Sequence, residues 1–230
     1  MSSHVSRSLA DTPQGSYILS NLLTLPSVSS VHALARRQPK ATDSKLQPII
    51  EPDSSQWPSK LASIQPTPPI FFSALGTTRA QAGSFENQRK IDYDLNLELA
   101  KAAKAAGVKV YVLISVTASK KSMFAFSRMK AELEEAVTEL GFEHTIILRP
   151  GLIVGTREDS RPPEAVFRGL AKFMGAVSGG YLTDWWAQDA EVIGRAAVSA
   201  GLKALEGGAP KVWDIGQPEI VKLGRTEWKA

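Results

Sequence analysis

The chain contains no cysteine, which excludes disulfides, thiolate metal sites and cysteine nucleophiles together. Histidine is scarce: only His4, His32 and His144 occur, and they show no metal-ligand spacing. No metal site is expected. No stretch approaches the ~20 consecutive apolar residues of a membrane-spanning helix. The opening MSSHVSRSLADTPQGS carries Arg7 and several serines but lacks the apolar core of a secretory signal. With one arginine and an early Asp11 it is only weakly like a mitochondrial presequence. The charge excess is small, +4 with a pI of about 9.3. It fits a slight surplus of surface lysine, or attraction to an anionic partner. A dense basic stripe and interleaved aromatics are both missing, so nucleic acid is not an expected partner.

What remains reads as an ordinary globular protein, with 43% hydrophobic and 22% charged residues over 230 positions. That length fits one α/β domain. Ile18, Leu19, Leu22 and Leu23 predict a helix across Gly15–Leu25. Strands are expected at Val28–Ala35, Lys45–Ile50 and Ile70–Leu75, with a short helix at Trp57–Ile64 before a proline-rich connection. Ile91, Leu95, Leu99, Ala102 and Ala106 predict a helix that Gly107 ends as a C-cap. Further helices are expected over Pro163–Met174 and Gln188–Leu205, and strands at Thr145–Leu148 and Lys211–Ile215. Alternating strands and helices predict a doubly wound, Rossmann-like parallel sheet in a single domain.

The most informative stretch is KVYVLISVTASKKSMFAFSRMKAELEEAV, residues 109–137. A β-branched run, Val110–Ile114, is followed by a polar loop that opens with Ser115 and then by a helical pattern. Open α/β sheets bind ligands at the carboxyl ends of their strands, where such a loop lies. On the helix, Phe126 and Lys130 stand four residues apart and share a face. The order of strand, serine and Tyr-x-x-x-Lys is similar to the catalytic segment of short-chain dehydrogenases, but here Phe126 holds the tyrosine position. In that arrangement the tyrosine protonates the carbonyl, and the lysine lowers the phenol pKa and holds a ribose. Phe126 has no proton to give. Lys130 is either a ribose ligand or a solvated helix lysine, and Ser115 or Thr117 could still polarise a carbonyl.

The rest of a dinucleotide site is uneven. Before the first helix, LADTPQG retains only the last glycine, Gly15. Pro13 removes a donor and Asp11 adds like charge beside any phosphate. His4–Leu9 does not read as a buried strand, so the first strand and its glycine-rich loop are expected to be degenerate. Arg36 and Arg37 end the second strand, where an arginine accommodates a 2′-phosphate and an acid would favour the plain ribose. They point to NADP over NAD, or are two solvated arginines. Gly76, in the loop SALGTTR, could line the adenine or ribose groove or simply turn the chain. Arg149-Pro150-Gly151 likewise could line a nicotinamide pocket, with Pro150 as a cofactor contact, or merely turn the chain.

PIFFSALGTTRAQAGSFENQRKIDYDLNLELAKAAKAAGVKVYVLIS, then SRMKAELEEAV, then FEHTIILRPGLIVG resemble the atypical short-chain dehydrogenases of fungal mitochondria. These are the "found in mitochondrial proteome" group, related to the animal Tat-interacting tumour suppressor. The likeness runs from about Gly15 to the carboxyl terminus, leaving residues 1–14 as an atypical segment ahead of an NAD(P)-binding domain over 15–230. The resemblance implies NADP binding, a peripheral position on the mitochondrial outer membrane and no established small-molecule substrate. By position it implies cofactor contacts at Gly15, Arg36, Arg37, Gly76 and Lys130, and catalytic roles for Ser115 and Lys130. The departures, Phe126 and the altered start, leave two readings. One is a reductase-like protein with low or altered activity; the other is a non-enzymatic cofactor-sensing or interaction scaffold. The altered start also suggests an alternative or misassigned first exon, which sequencing the transcript's 5′ end would decide.

Overall fold

A computed structural model describes residues 3–8, 12–154 and 187–229. Its centre is a seven-stranded sheet of order β3-β2-β1-β4-β5-β6-β9 in which every neighbouring pair is parallel. The strands are β1 Ser3–Ser8, β2 Val28–Ala35, β3 Leu46–Ile50, β4 Ile70–Ser73, β5 Val110–Ile114, β6 His144–Leu148 and β9 Val212–Ile215. A separate parallel pair joins β7, Leu152–Val154, to β8, Ala187–Asp189. The helices are α1 Pro13–Thr24, α2 Trp57–Ala62, α3 Arg79–Ala82, α4 Phe85–Arg89, α5 Asn96–Ala106, α6 Ala125–Glu139, α7 Ala190–Leu205 and α8 Gln217–Val221. Wider π-helical turns follow α4 at Lys90–Leu95 and α8 at Lys222–Thr226.

Alternation along the strands builds two cores. Phe72, Val110, Val112 and Ile114 face one side and pack with Ile18 and Leu22 of α1 and Ile193 and Ala197 of α7. Phe71, Tyr111 and Leu113 face the other, against Leu61 of α2, Leu99 of α5 and Leu133 and Val137 of α6. Central strands buried on both faces read as continuous apolar runs for this reason. Small residues let the first layer close up: a Cβ on Gly194 of α7 would lie 2.8 Å from the Tyr17 Cβ of α1. Gly107 ends α5 at φ 94°, where a side chain would be strained. Trp228 packs half-buried against the first core, as a core-closing aromatic does.

One expectation fails. The polar segment at the amino terminus does form a strand: Ser3–Ser8 pairs with β2 on one side and β4 on the other. Parallel pairing is made by backbone groups that every residue except proline carries in full. A strand of degenerate composition can therefore occupy the middle of a sheet whose neighbours are already strongly apolar. The predicted helix over Pro163–Met174 lies outside the described residues.

The strand order 3-2-1-4-5-6 is that of a Rossmann fold, and it reverses between β1 and β4. In open α/β sheets the ligand crevice forms at such a switch point, at the carboxyl ends of the two strands.

Candidate functional site

The crevice is bounded by the start of α1 and by the loop after β4. Thr12, the N-cap of α1, accepts the Gly15 N–H through its hydroxyl oxygen at 3.1 Å. The same hydroxyl donates to the Ala74 carbonyl at 3.2 Å, tying the two sides together. An N-terminal turn usually presents several free N–H groups to a phosphate. Here Pro13 has none, and the Gly15 N–H is already taken by Thr12. Gly15 is buried at this turn. Arg36 and Arg37 follow β2 directly and are both exposed.

Three side chains at four-residue spacing, Gln88, Asp92 and Asn96, hold the loop after β4, and all three are buried. The Gln88 amide donates to the Thr77 carbonyl at 3.1 Å, and Asp92 Oδ2 accepts the Thr77 N–H at 3.0 Å. Asn96 donates to the Leu75 carbonyl at 3.4 Å and accepts from the Ser73 hydroxyl at 2.6 Å. Spacing of four drifts around an α-helix, which turns every 3.6 residues. The wider π-turn at Lys90–Leu95 brings the stripe back into line. Gly76 is exposed in this loop, and a Cβ there would stand 3.2 Å from Asp92 Oδ1.

The other oxygen role of Asp92 is toward α6. Lys130 Nζ lies 3.8 Å from Asp92 Oδ1, with the two side chains 4% and 2% exposed. Lys130 is therefore buried on its helix rather than solvated. Burial pushes its ammonium below the ordinary lysine range, opposed by the negative charges of Asp92 and Glu134. Burial pushes Asp92 upward, opposed by Lys130 and by the Thr77 N–H. Phe126, one turn earlier, is half-buried.

A second charged group sits beside the first. Glu134, one turn after Lys130, is buried and receives Arg149 through one side edge of the guanidinium, Nε at 3.1 Å and a terminal nitrogen at 2.7 Å. Arg149 also reaches Asp214 at 3.3 Å, and Glu134 holds its pKa above the usual arginine value. Ser115, at the end of β5, is buried and donates its hydroxyl to Glu134 Oε1 at 2.5 Å. In this structure that proton is directed to the glutamate. Pro150 follows Arg149 and is buried at the end of β6.

The structure thus brings Lys130 and Ser115 to one cluster with Gly76 next to Asp92, and sets Gly15 at the start of α1. Arg36 and Arg37 follow β2, the strand paired with β1 beside the switch point. Sequence reading missed Asp92, Gln88, Asn96 and Glu134. A signal existed for Glu134, which shares the Lys130 face at i+4, and in the 88-92-96 polar spacing. Among the described residues, no group of three or more histidine, aspartate or glutamate side chains could hold a metal ion.

Comparison with known proteins places these features in context. A sequence-family model described as HIM1 matches residues 59–172. The chain is 57% identical to "Protein fmp52-1, mitochondrial" of Aspergillus oryzae, covering 91% of this chain and 92% of that protein. It is 48% identical to "Protein fmp-52, mitochondrial" of Neurospora crassa, over 94% of this chain and 92% of that one. A short-chain dehydrogenase/reductase from Saccharomyces cerevisiae has a TM-score of 0.68 at 16% identity, covering 96% of this chain and 99% of that one. The Bordetella bronchiseptica enzyme WbmF, solved with NAD+, has a TM-score of 0.68 at 15% identity, over 94% and 72% of the two chains. At such identities these structures speak to the fold.

Proposed function

The chain belongs to the Fmp52 family of fungal mitochondrial proteins, and from that premise we propose that it binds NADP in the β1–β4 crevice as a dehydrogenase-like protein of low or altered turnover. The carrying observation is the burial of Lys130 against Asp92, whose other oxygen holds the loop lining the crevice. A lysine is taken out of water this completely only where its charge has a use or a partner.

The residues fit the cofactor unevenly. Arg36 and Arg37 suit a 2′-phosphate next to the crevice, Gly76 leaves the loop open for close approach, and Lys130 suits a ribose hydroxyl. The start of α1 suits a pyrophosphate less, because Pro13 and the Thr12 cap remove donors. When bound, the nicotinamide would supply hydride. The chain's own part would be to hold the ribose through Lys130 and to exclude water around it. Ser115 is engaged with Glu134 and Phe126 carries no proton, so general-acid assistance is weakened. Loss of one such group typically costs ~10²–10⁴-fold in rate.

This last point also favours the second reading, a scaffold that senses cofactor without turnover. Lys130→Ala separates both from a merely structural lysine. On the proposed reading NADPH affinity falls roughly tenfold or more, the scale of one charged hydrogen bond; unchanged affinity with intact folding contradicts the pocket.

The relatives' names support a mitochondrial setting. Among the described residues no helix is long and apolar enough to cross a membrane. A peripheral outer-membrane position draws support from the loop before α6. There Met123 and Phe124 are 94% and 78% exposed, next to the exposed Lys120 and Lys121. Apolar side chains flanked by lysine suit an anionic interface. Flotation with anionic vesicles tests it: co-flotation lost on Met123→Ser/Phe124→Ser supports it, and no co-flotation contradicts it.

A further inference from the structure

We propose that Asp92 is the positioning residue of the cofactor crevice, holding Lys130 cationic and in place and thereby making cofactor affinity fall with rising pH. The inference deepens the NADP-binding reading and rests on it. In the dehydrogenases that the chain resembles, the lysine works beside a tyrosine. Here Phe126 offers no oxygen, and the lysine is met instead by a carboxylate from another element.

The geometry gives Asp92 two tasks. Its Oδ2 accepts the Thr77 N–H at 3.0 Å and its Oδ1 faces Lys130 Nζ at 3.8 Å. One carboxylate therefore fixes the loop after β4 and the ammonium of α6 relative to each other. The π-turn is what points it there, between Gln88 and Asn96, which grip the same loop. Gly76 completes the arrangement, since a Cβ would press to 3.2 Å from the same Oδ1.

Lys130 faces charge from two directions: Asp92 on the π-turn and Glu134 on α6 itself. Glu134 is already neutralised by Arg149, which has a bidentate hold on it, and is hydrogen-bonded by Ser115. Asp92 has no cation other than Lys130 among the described ion pairs. The sign of its effect follows. Burial favours neutral lysine, while Asp92 favours the ammonium. Removing the Asp92 charge must lower the pH at which Lys130 loses its proton, and any affinity carried by the ammonium must be lost at that lower pH.

The test measures NADPH and NADH affinity by calorimetry from pH 7 to pH 10 in the full chain, Asp92→Asn, Gly76→Ala and Lys130→Arg. A parallel carbon NMR titration of lysine-labelled protein without cofactor, with the Lys130 signal assigned from Lys130→Arg, reads the proton directly. Affinity in the parent should fall roughly ten- to a hundredfold across the Lys130 titration, as expected for losing a charged hydrogen bond. In Asp92→Asn both the fall and the NMR midpoint move to lower pH. In Lys130→Arg, which stays charged, the fall disappears. Gly76→Ala, which presses on Asp92 Oδ1 without removing its charge, moves the midpoint by less, and covers the case in which Asp92→Asn does not fold. Binding with no pH dependence, or an NMR midpoint unmoved in both variants, overturns the role of Asp92 and leaves NADP binding standing. No binding by the parent at any pH overturns both.

Discussion

Arg149→Leu is the substitution for which the fold makes the sharpest energetic statement. It removes the only cation within ion-pair distance of Glu134 among the described residues, while that carboxylate stays buried with its Ser115 hydrogen bond. Breaking a buried ion pair by deleting one partner costs ~3–5 kcal/mol, because the orphaned charge remains out of water. The lower end applies here, since the Arg149 side chain is 31% exposed and its second partner, Asp214, is 52% exposed. Lys130, one turn away, offsets part of the charge as well. A loss of ~3 kcal/mol corresponds to a Tm lower by about 6–12 °C in a chain of this size.

Urea unfolding of variant and parent measures this deficit. Adding Glu134→Gln should recover part of the loss, because no charge is then stranded. A deficit below ~1 kcal/mol, typical of an exposed pair, would refute the reasoning.

Phe126→Tyr should raise carbonyl-reductase turnover by up to ~10²–10⁴-fold if the lysine-bearing site is otherwise competent; screening simple aldehydes with NADPH checks it. No gain alongside demonstrated cofactor binding would favour the scaffold reading. Tyr111→Phe should be neutral or stabilising, because the buried hydroxyl makes no hydrogen bond among the described residues. Its ring is meanwhile stacked between Phe71 and Phe142 at 5.5 and 5.0 Å. Leaving such a group unpaired costs ~1–3 kcal/mol, so a Tm lowered by several degrees would show that the hydroxyl has a partner after all.

Much of the architecture was legible because its strands are buried on both faces. Val110–Ile114, Ile70–Ser73 and Thr145–Leu148 have few other homes than the middle of a parallel sheet, and Gly107 ends its helix as its chemistry requires. Ser3–Ser8 was not legible, because its side chains carry no strand signal and its place is set by the β2 and β4 backbones. At the site, the same-face spacing of Phe126 and Lys130 could be read, but not what faces them. Asp92 reaches Lys130 from 38 positions earlier in the chain through a π-turn, and local periodicity does not encode that turn. Ser115 was found, but its neighbour was not: a serine at a strand end gives no sign in the sequence of the glutamate 19 residues on that accepts its proton.

The measurement that bears most directly on the proposed function is calorimetric titration of the whole chain with NADPH and then NADH at neutral pH. NADPH should bind, and more tightly than NADH, with Arg36→Ala/Arg37→Ala removing the difference. Binding of neither nucleotide would contradict the reading, and would mean that Pro13 and the Thr12 cap have closed the phosphate end of the crevice.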